Sequence, residues 1–217
     1  MKVIAIGAHP DDYEIGAGMR LIYHARIRKD DVIGLICSDG EKGGDRDLRI
    51  KEAEKAAEVI GLKNIVRLGF PDTRFPDIVS MKDRIEEVIY NEKPMLVYTH
   101  FPDDRHQDHR ATYEAARIAC RKIPSILTFK TPSTNISFQP HLFHYGLEDE
   151  FKKKYEILQN YKSQLRKDGG IDMKQVEHDL LFYGHFITNG CYSKPVYAEP
   201  FSANHFILNL EDSVWHE

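Results

Sequence analysis

The sequence predicts an α/β fold, a Rossmann-like, mostly parallel sheet with helices on both faces. Three observations predict it. Short β-branched apolar runs recur from Lys2 to Phe129, and longer segments of helical character separate them. The first run, KVIAIG over 2–7, has no polar alternation, as expected of a strand buried on both faces. Strands alternating with helices in this way imply βαβ units and a parallel sheet.

The elements follow in order. From Asp12 to about Ile27 a helix is expected, with Ile15, Met19 and Ile22 at helical spacing. DVIGLICS (31–38) reads as a second strand, and RDLRIKEAEKAAEVIGL (46–62) as a helix rich in Ala, Glu and Lys that reaches Gly61, a natural C-cap. NIVRLG is a third strand, 81–91 a helix and MLVYTH (95–100) a fourth strand. Past a charged loop, a helix runs from about His109 to Arg121. Beyond residue 123, SILTF reads as a strand, TPSTNISFQP as a polar loop, LEDEFKKKYEILQNYKSQL as an amphipathic helix and 173–184 as another. KPVYAEPF and HFILNL read as short strands. No repeat or linker interrupts the pattern, so a single domain over 1–217 is expected.

Composition excludes several classes. With 41% hydrophobic and 29% charged residues, the chain of 217 residues is globular. Its 34 acidic and 30 basic residues give a net charge of −4, which offers no basic field to nucleic acid. Three cysteines without a CxxC pair argue for a reducing compartment, and no apolar run approaches the ~18 residues of a membrane span. The opening MKVIAIGAH is too short for a secretion signal, so a cytoplasmic protein is expected.

Two clusters carry the chemistry. AIGAHPDDYEIGAG places His9, Asp11, Asp12 and Glu14 at the end of the first strand with no Lys or Arg to balance them. Carboxylates this close repel one another, and a bound cation would relieve them. His9 and Asp12 can reach one ion across a strand-to-helix turn, although Asp12 alone also suits a helix N-cap. The second cluster, THFPDDRHQDHRAT (99–112), holds His100, Asp103, Asp104, His106, Asp108 and His109, with Arg105 and Arg110 as pairing partners in a purely solvated reading. His106 and His109 face one side of a helix start. Sites in parallel sheets form at the carboxyl ends of strands, so both clusters would meet at one rim if the first and fourth strands are neighbours. Two histidines and one carboxylate with an open position is the catalytic zinc arrangement. Gly7, Gly16 and Gly18 do not spell GxGxxG, and acids there would repel a pyrophosphate.

AHPDDYE and HQDH resemble the two signature motifs of the PIG-L (LmbE-like) de-N-acetylases, and RIKEAEKAAEVIG resembles that family's R-x-x-E-A helix. The resemblance covers roughly 1–120. It implies His9, Asp12 and His109 as metal ligands, Asp11 as catalytic carboxylate, His106 as catalytic histidine, Asp108 as the partner that orients it, and Arg49 as a substrate-binding arginine. NYKSQL and YAEPF resemble weaker C-terminal segments. Where some members carry a histidine near the first, this chain has Tyr161. The implied cofactor is Zn2+, with Fe2+ or another divalent ion also suited to the donors.

The implied reaction removes an N-acetyl group from an acetamido sugar or sugar conjugate, free or carried on a nucleotide or lipid, through metal-activated water. Further copies of the chain in a homo-oligomer are compatible with the sequence. Three alternatives stay open: an amidase acting on a sugar-thiol conjugate, a mononuclear Fe(II) enzyme with a two-His, one-carboxylate triad, and a non-enzymatic metal-binding protein. For specificity, the loop DGEKGGDRD with Arg49 and the stretch TPSTNISFQPH are the candidates, the latter offering Ser133, Thr134, Asn135, Ser137 and Phe138.

Overall fold

The computed structural model describes residues 1–165 and 170–207. Its strands are β1 (Lys2–Gly7), β2 (Asp31–Ile36), β3 (Asn64–Arg67), β4 (Leu96–His100), β5 (Ser125–Phe129), β6 (Leu142–Gly146) and β7 (Tyr197–His205). The helices are α1 (Asp12–Ile22), α2 (Arg46–Ile60), α3 (Ile78–Glu92), α4 (Gln107–Ala119), α5 (Glu148–Gln159) and α6 (Met173–Thr188). One sheet runs in the order β3-β2-β1-β4-β5-β7-β6. The first five strands are parallel, whereas β7 is antiparallel to both β5 and β6.

Alternating strand residues build two cores. Val3, Ala5, Leu96 and Tyr98 pack under α1, α2, α5 and α6. Ile4, Ile6, Ile33 and Val97 pack against α3 and α4 on the opposite face. That double covering explains why β1, β2 and β4 read as continuous apolar runs. The order reverses between β1 and β4, which pair directly (Val3 with Leu96, Ala5 with Tyr98), so a crevice opens at their carboxyl ends.

Local chemistry corrects several boundaries. α3 starts at Ile78, earlier than expected, because Asp77 accepts the N–H groups of Val79 and Ser80. α4 starts at Gln107 because the His106 ring nitrogen accepts Asp108 N–H. The long helix expected over 147–165 stops at Gln159, where Glu52 draws the chain aside by accepting from Ser163 N (2.8 Å) and Oγ (2.6 Å). The two expected C-terminal strands are one strand, β7, and residues 208–210 of HFILNL lie outside the described residues. β6 escaped the sequence reading because a half-buried edge strand of mixed aromatic and polar residues carries no distinctive pattern. Among the described residues, no helix is long and apolar enough to cross a membrane.

Two buried polar networks brace α1. Glu199 on β7 accepts the N–H groups of Met19 and Arg20 (both 2.8 Å) and an ion pair from the fully buried Lys154 (2.6 Å). Lys154 also donates to the Ile15 carbonyl (2.5 Å). A little further on, α1 continues as a π-helical turn, Tyr23–Arg28. There His24 Nδ1 meets Asp30 (2.8 Å) and Nε2 meets the Tyr98 hydroxyl (3.0 Å). Burial pushes the His24 pKa down to about 4.

Removing one partner of a buried ion pair strands the other charge. Lys154→Met is therefore expected to lower the unfolding free energy in urea by about 3–5 kcal/mol. The double variant with Glu199→Gln should cost less than the two singles combined. His24 gives a pH signature. Its folded pKa lies below the ordinary 6.5, so its contribution is complete above 6.5 and is lost as pH falls towards about 4. The loss is on the order of 3 kcal/mol. Urea melts between pH 7 and pH 4 should be less pH-dependent in His24→Gln than in the wild type; equal slopes would count against this account.

Candidate metal centre and active site

The rim of the crevice is assembled from the loops that follow the parallel strands. After β1, the chain turns sharply enough that Asp11 takes φ 98°, a left-handed backbone unusual outside glycine. Arg49, buried on α2, holds this turn. It donates to Pro10 O (2.9 Å) and to Asp11 Oδ2 (3.3 Å) with Nη2, and to Gly40 O (2.7 Å) with Nη1. The solvated helix arginine does not describe it, because its guanidinium is buried and engaged by two loops.

Asp12 is the focus. Its Oδ2 accepts the His9 N–H (2.7 Å) and lies 3.2 Å from His100 Nε2 and 3.6 Å from His9 Nδ1. Its Oδ1 lies 3.2 Å from His109 Nε2. The N-cap alternative for Asp12 is not realised, since the helix starts at Asp12 itself and the cap position falls to Asp11, which makes no side-chain cap bond. Burial raises the Asp12 pKa, but His109 and His100 outweigh it and hold the carboxyl well below its ordinary range.

The imidazoles form a column. His100 and His109 stack at 4.0 Å, His109 and His106 at 4.5 Å, and the His9 ring meets His106 edge-on at 5.0 Å. His109 Nδ1 faces Asp104 (3.3 Å) and Ser133 Oγ (3.1 Å), turning Nε2 towards Asp12. Burial lowers the His109 pKa, yet Asp12 and Asp104 prevail and lift it to about 9. His9 has the complementary arrangement: Nε2 lies 3.1 Å from both Asp72 and Asp108, and Nδ1 faces Asp12.

Asp108 departs from expectation. Its carboxylate takes His9 Nε2 and Thr73 N–H (3.0 Å) and makes no bond to the His106 ring. His106 is oriented instead by the Asp108 backbone, whose N–H donates to Nδ1 (3.2 Å). The reason is local: a residue in the first turn offers its N–H to the N-cap side chain. Burial and the neighbouring His109 and His9 lower the His106 pKa.

Asp11 stands beside this group. Burial raises its carboxyl to about 7, against the opposing pull of Arg49. Glu14 points away into the core, where the buried Tyr161 hydroxyl donates to it (2.5 Å) and burial lifts its pKa to about 8. Tyr161 is thus a packing residue under α1, and Gln164, three residues on, is the one that reaches the cavity wall.

A cavity of about 400 Å³ opens over these residues. Its wall includes Asp11, His106, Arg49, Ser133, Gln164 and Ile171. Of the stretch TPSTNISFQPH, only its first residues, including Ser133, reach the cavity. Thr134 bonds Asp104 (3.0 Å), Asn135 and Ser137 bond Asp103, and Phe138 is buried edge-on to Phe101. These side chains build the loop and are not presented to a ligand.

The donors suit a divalent cation. Two sets, His9 with His106 and His109, and Asp12 with His100 and His109, each place one ligand atom per residue within 4.8 Å of the others. Buried imidazoles with a carboxylate are the ligands of zinc and related ions. The expected trio His9, Asp12 and His109 is brought together through Asp12. Sequence reasoning missed Asp72 and gave Asp104 no role. Asp72 sits in FPDTRF, which reads as a plain turn, and its only sequence signal is that it follows the third parallel strand and so opens on the same rim.

Comparison with known proteins converges on one group. The family model described as PIG-L, GlcNAc-PI de-N-acetylase, matches residues 4–120. An uncharacterized deacetylase, YaiS, of Escherichia coli strain K12 is 38% identical over 170 residues, covering 74% of this chain and 90% of that protein. The diacetylchitobiose deacetylase of Thermococcus kodakarensis is 33% identical over 123 residues, 50% of this chain and 45% of that protein. Among solved structures, the N,N'-diacetylchitobiose deacetylase of Pyrococcus horikoshii superposes with a TM-score of 0.77 at 23% identity, covering 93% of this chain and 83% of that one. GalB, the 4-carboxy-2-hydroxymuconate hydratase of Pseudomonas putida KT2440, also reaches 0.77, at 20% identity over 97% of this chain and 98% of its own. The fold is therefore shared by deacetylases and a hydratase.

Proposed function

This chain belongs to the PIG-L family, and from that premise we propose that it is a metal-dependent hydrolase that removes the N-acetyl group from an acetamido sugar or sugar conjugate. The observation that carries the reading is the grouping around Asp12. Two oriented imidazoles meet one buried carboxylate, with Asp11 held beside them at the floor of an open cavity. His9, Asp12 and His109 would hold the ion, Zn2+ or Fe2+. When bound, such a cation supplies positive charge that acidifies water and polarises an amide carbonyl.

The side chains do the rest. Asp11, with a pKa raised by burial, is suited to take a proton from the attacking water and to surrender it later. Arg49 fixes the Asp11 carboxylate and the turn that presents it. His106 has Nδ1 occupied by a backbone donor, which leaves Nε2 to carry the N–H. That N–H can stabilise negative charge on the former carbonyl oxygen, while the proton that Asp11 took from water goes to the departing amine. Asp108 serves by holding His9 and the Thr73 backbone.

The deacetylase names among the sequence relatives favour amide hydrolysis over the hydration seen in GalB, and over oxygenase and non-enzymatic readings. A sugar-thiol conjugate remains within the same chemistry. We read residues 1–217 as one domain and place the protein in the cytoplasm, where it would act on a small acetamido sugar as a monomer or homo-oligomer.

Asp11→Asn is expected to lower deacetylation of an acetamido sugar by about 10²–10⁴-fold. Metal analysis should still find one divalent ion per chain. Turnover persisting near the wild-type rate would rule Asp11 out as the base. Arg49→Ala is expected to reduce activity equally on free and phosphate-bearing acetamido sugars, because its guanidinium holds the site itself. A loss confined to the phosphate-bearing sugar, seen in parallel initial-rate assays, would instead make it a substrate clamp.

A further inference from the structure

Asp72 is a buried carboxylate in the loop after β3 whose two oxygens are both committed. Oδ1 lies 3.1 Å from His9 Nε2, and Oδ2 accepts the Lys42 N–H at 2.8 Å. Its own N–H donates to Glu41 Oε1 (2.9 Å). The next residue, Thr73, takes φ 63° and aims its N–H at Asp108 Oδ2, the second oxygen 3.1 Å from His9 Nε2. A β-branched residue is rarely found in that conformation, so the loop is held there by what surrounds it.

An imidazole can turn only one nitrogen to an ion, and the hydrogen bond made by the other decides which. Two carboxylates at Nε2 require a proton there, which leaves the Nδ1 lone pair free on the side of Asp12. His109 is set the opposite way, with Asp104 at Nδ1 and Nε2 towards Asp12. We infer that Asp72 is a positioning residue for His9: together with Asp108 it fixes the Nε2–H tautomer, so that His9 presents Nδ1 to a cation at Asp12. The same carboxylate ties the 38–45 loop to that ligand through Lys42. This inference rests on the proposed metal-dependent reading.

A competing arrangement uses the same atoms. His9 Nε2, Asp72 and Asp108 are near enough to chelate an ion themselves. However, the carboxylate oxygens concerned sit at hydrogen-bond distance from the ring, and backbone N–H groups already occupy Asp108 Oδ2 and the second oxygen of Asp72. Those contacts belong to a histidine being held.

The test is Zn2+ affinity, measured by competition with a chromophoric chelator on the full chain, with 15N NMR of the histidine rings. Wild type should bind zinc with His9 ligated through Nδ1. Asp72→Ala should weaken zinc binding by about 10–100-fold. Asp72→Asn, which can accept at only one of the two contacts, should fall between, and it carries the test if the alanine variant does not fold. The double variant with Asp108→Ala should lose the single His9 tautomer. Zinc affinity within about threefold of wild type in the folded variants, or His9 ligated through Nε2, would overturn the inference. So would an intact zinc affinity with only KM raised, which would make Asp72 a substrate contact. Failure of the wild type itself to bind zinc, Fe2+ or Co2+ would instead overturn the metal-dependent reading.

Discussion

The buried carboxylate of Asp12 is the constraint around which the rest of the site is arranged. A negative charge taken out of water is costly unless donors or cations surround it. Here the His9 backbone N–H donates to it and His109 lies 3.2 Å away, while the rings of His100 and His9 also converge on it and leave room for a cation to complete the balance. Supplying them requires β1 and β4 to be neighbours, because two of those rings come from the end of β4 and the first turn of α4. The topology provides this at the point where strand order reverses. The turn must also be tight enough to bring His9 back over Asp12, and the positive φ of Asp11 is part of that geometry.

A second layer repeats the same logic. Two of the rings facing Asp12 are gripped from behind: His109 by Asp104 and Ser133, His9 by Asp72 and Asp108. Their opposite polarity, one through Nδ1 and one through Nε2, follows from approaching Asp12 from different sides of the crevice. Four loops from four strands contribute. A site built this way has few free rotamers, which is what preorganisation of a charged centre requires. Glu199 and Lys154 do similar work further along α1, bonding backbone groups within the helix that begins at the site.

Much of this was legible in the sequence, and the exceptions have physical causes. The buried parallel strands announced themselves because a strand covered on both faces has only one composition available to it. His9, Asp11, Asp12, His106, Asp108 and His109 were found because they are dense in two short segments, and density of charge without balance is visible along a chain. Asp72 acts as a single residue whose partners, His9 and Lys42, lie far away in sequence, so no local pattern marks it. Asp104 lies in the second segment, but spacing does not show that His109 turns Nδ1 to it. Asp108 was found and its contact misassigned, because spacing reports which residues lie near a helix start but not which atom of each is used. The burial of Arg49 was hidden for the same reason: helical periodicity does not show that a loop folds over a surface position and buries it. The edge strand β6 and the early end of α5 depend on tertiary partners, Glu199's strand and Glu52, that no window of sequence contains.

The boundary of the family match bears on specificity. It ends at residue 120, and every residue we assign to the chemistry lies inside it. The cavity wall does so only in part: Ser133, Gln164 and Ile171 come from the later part of the chain. Ser133 joins the two, since its hydroxyl bonds the Nδ1 of His109 while lining the space where a substrate would lie. In the proposed reaction the reacting amide would meet the matched stretch alone, while the body of a substrate would also meet the later one. The later stretch can vary without touching the charged centre, because the two are separate in sequence. The coupling at Ser133 sets a limit on that freedom, because a loop that reads the ligand also helps to orient a proposed metal ligand.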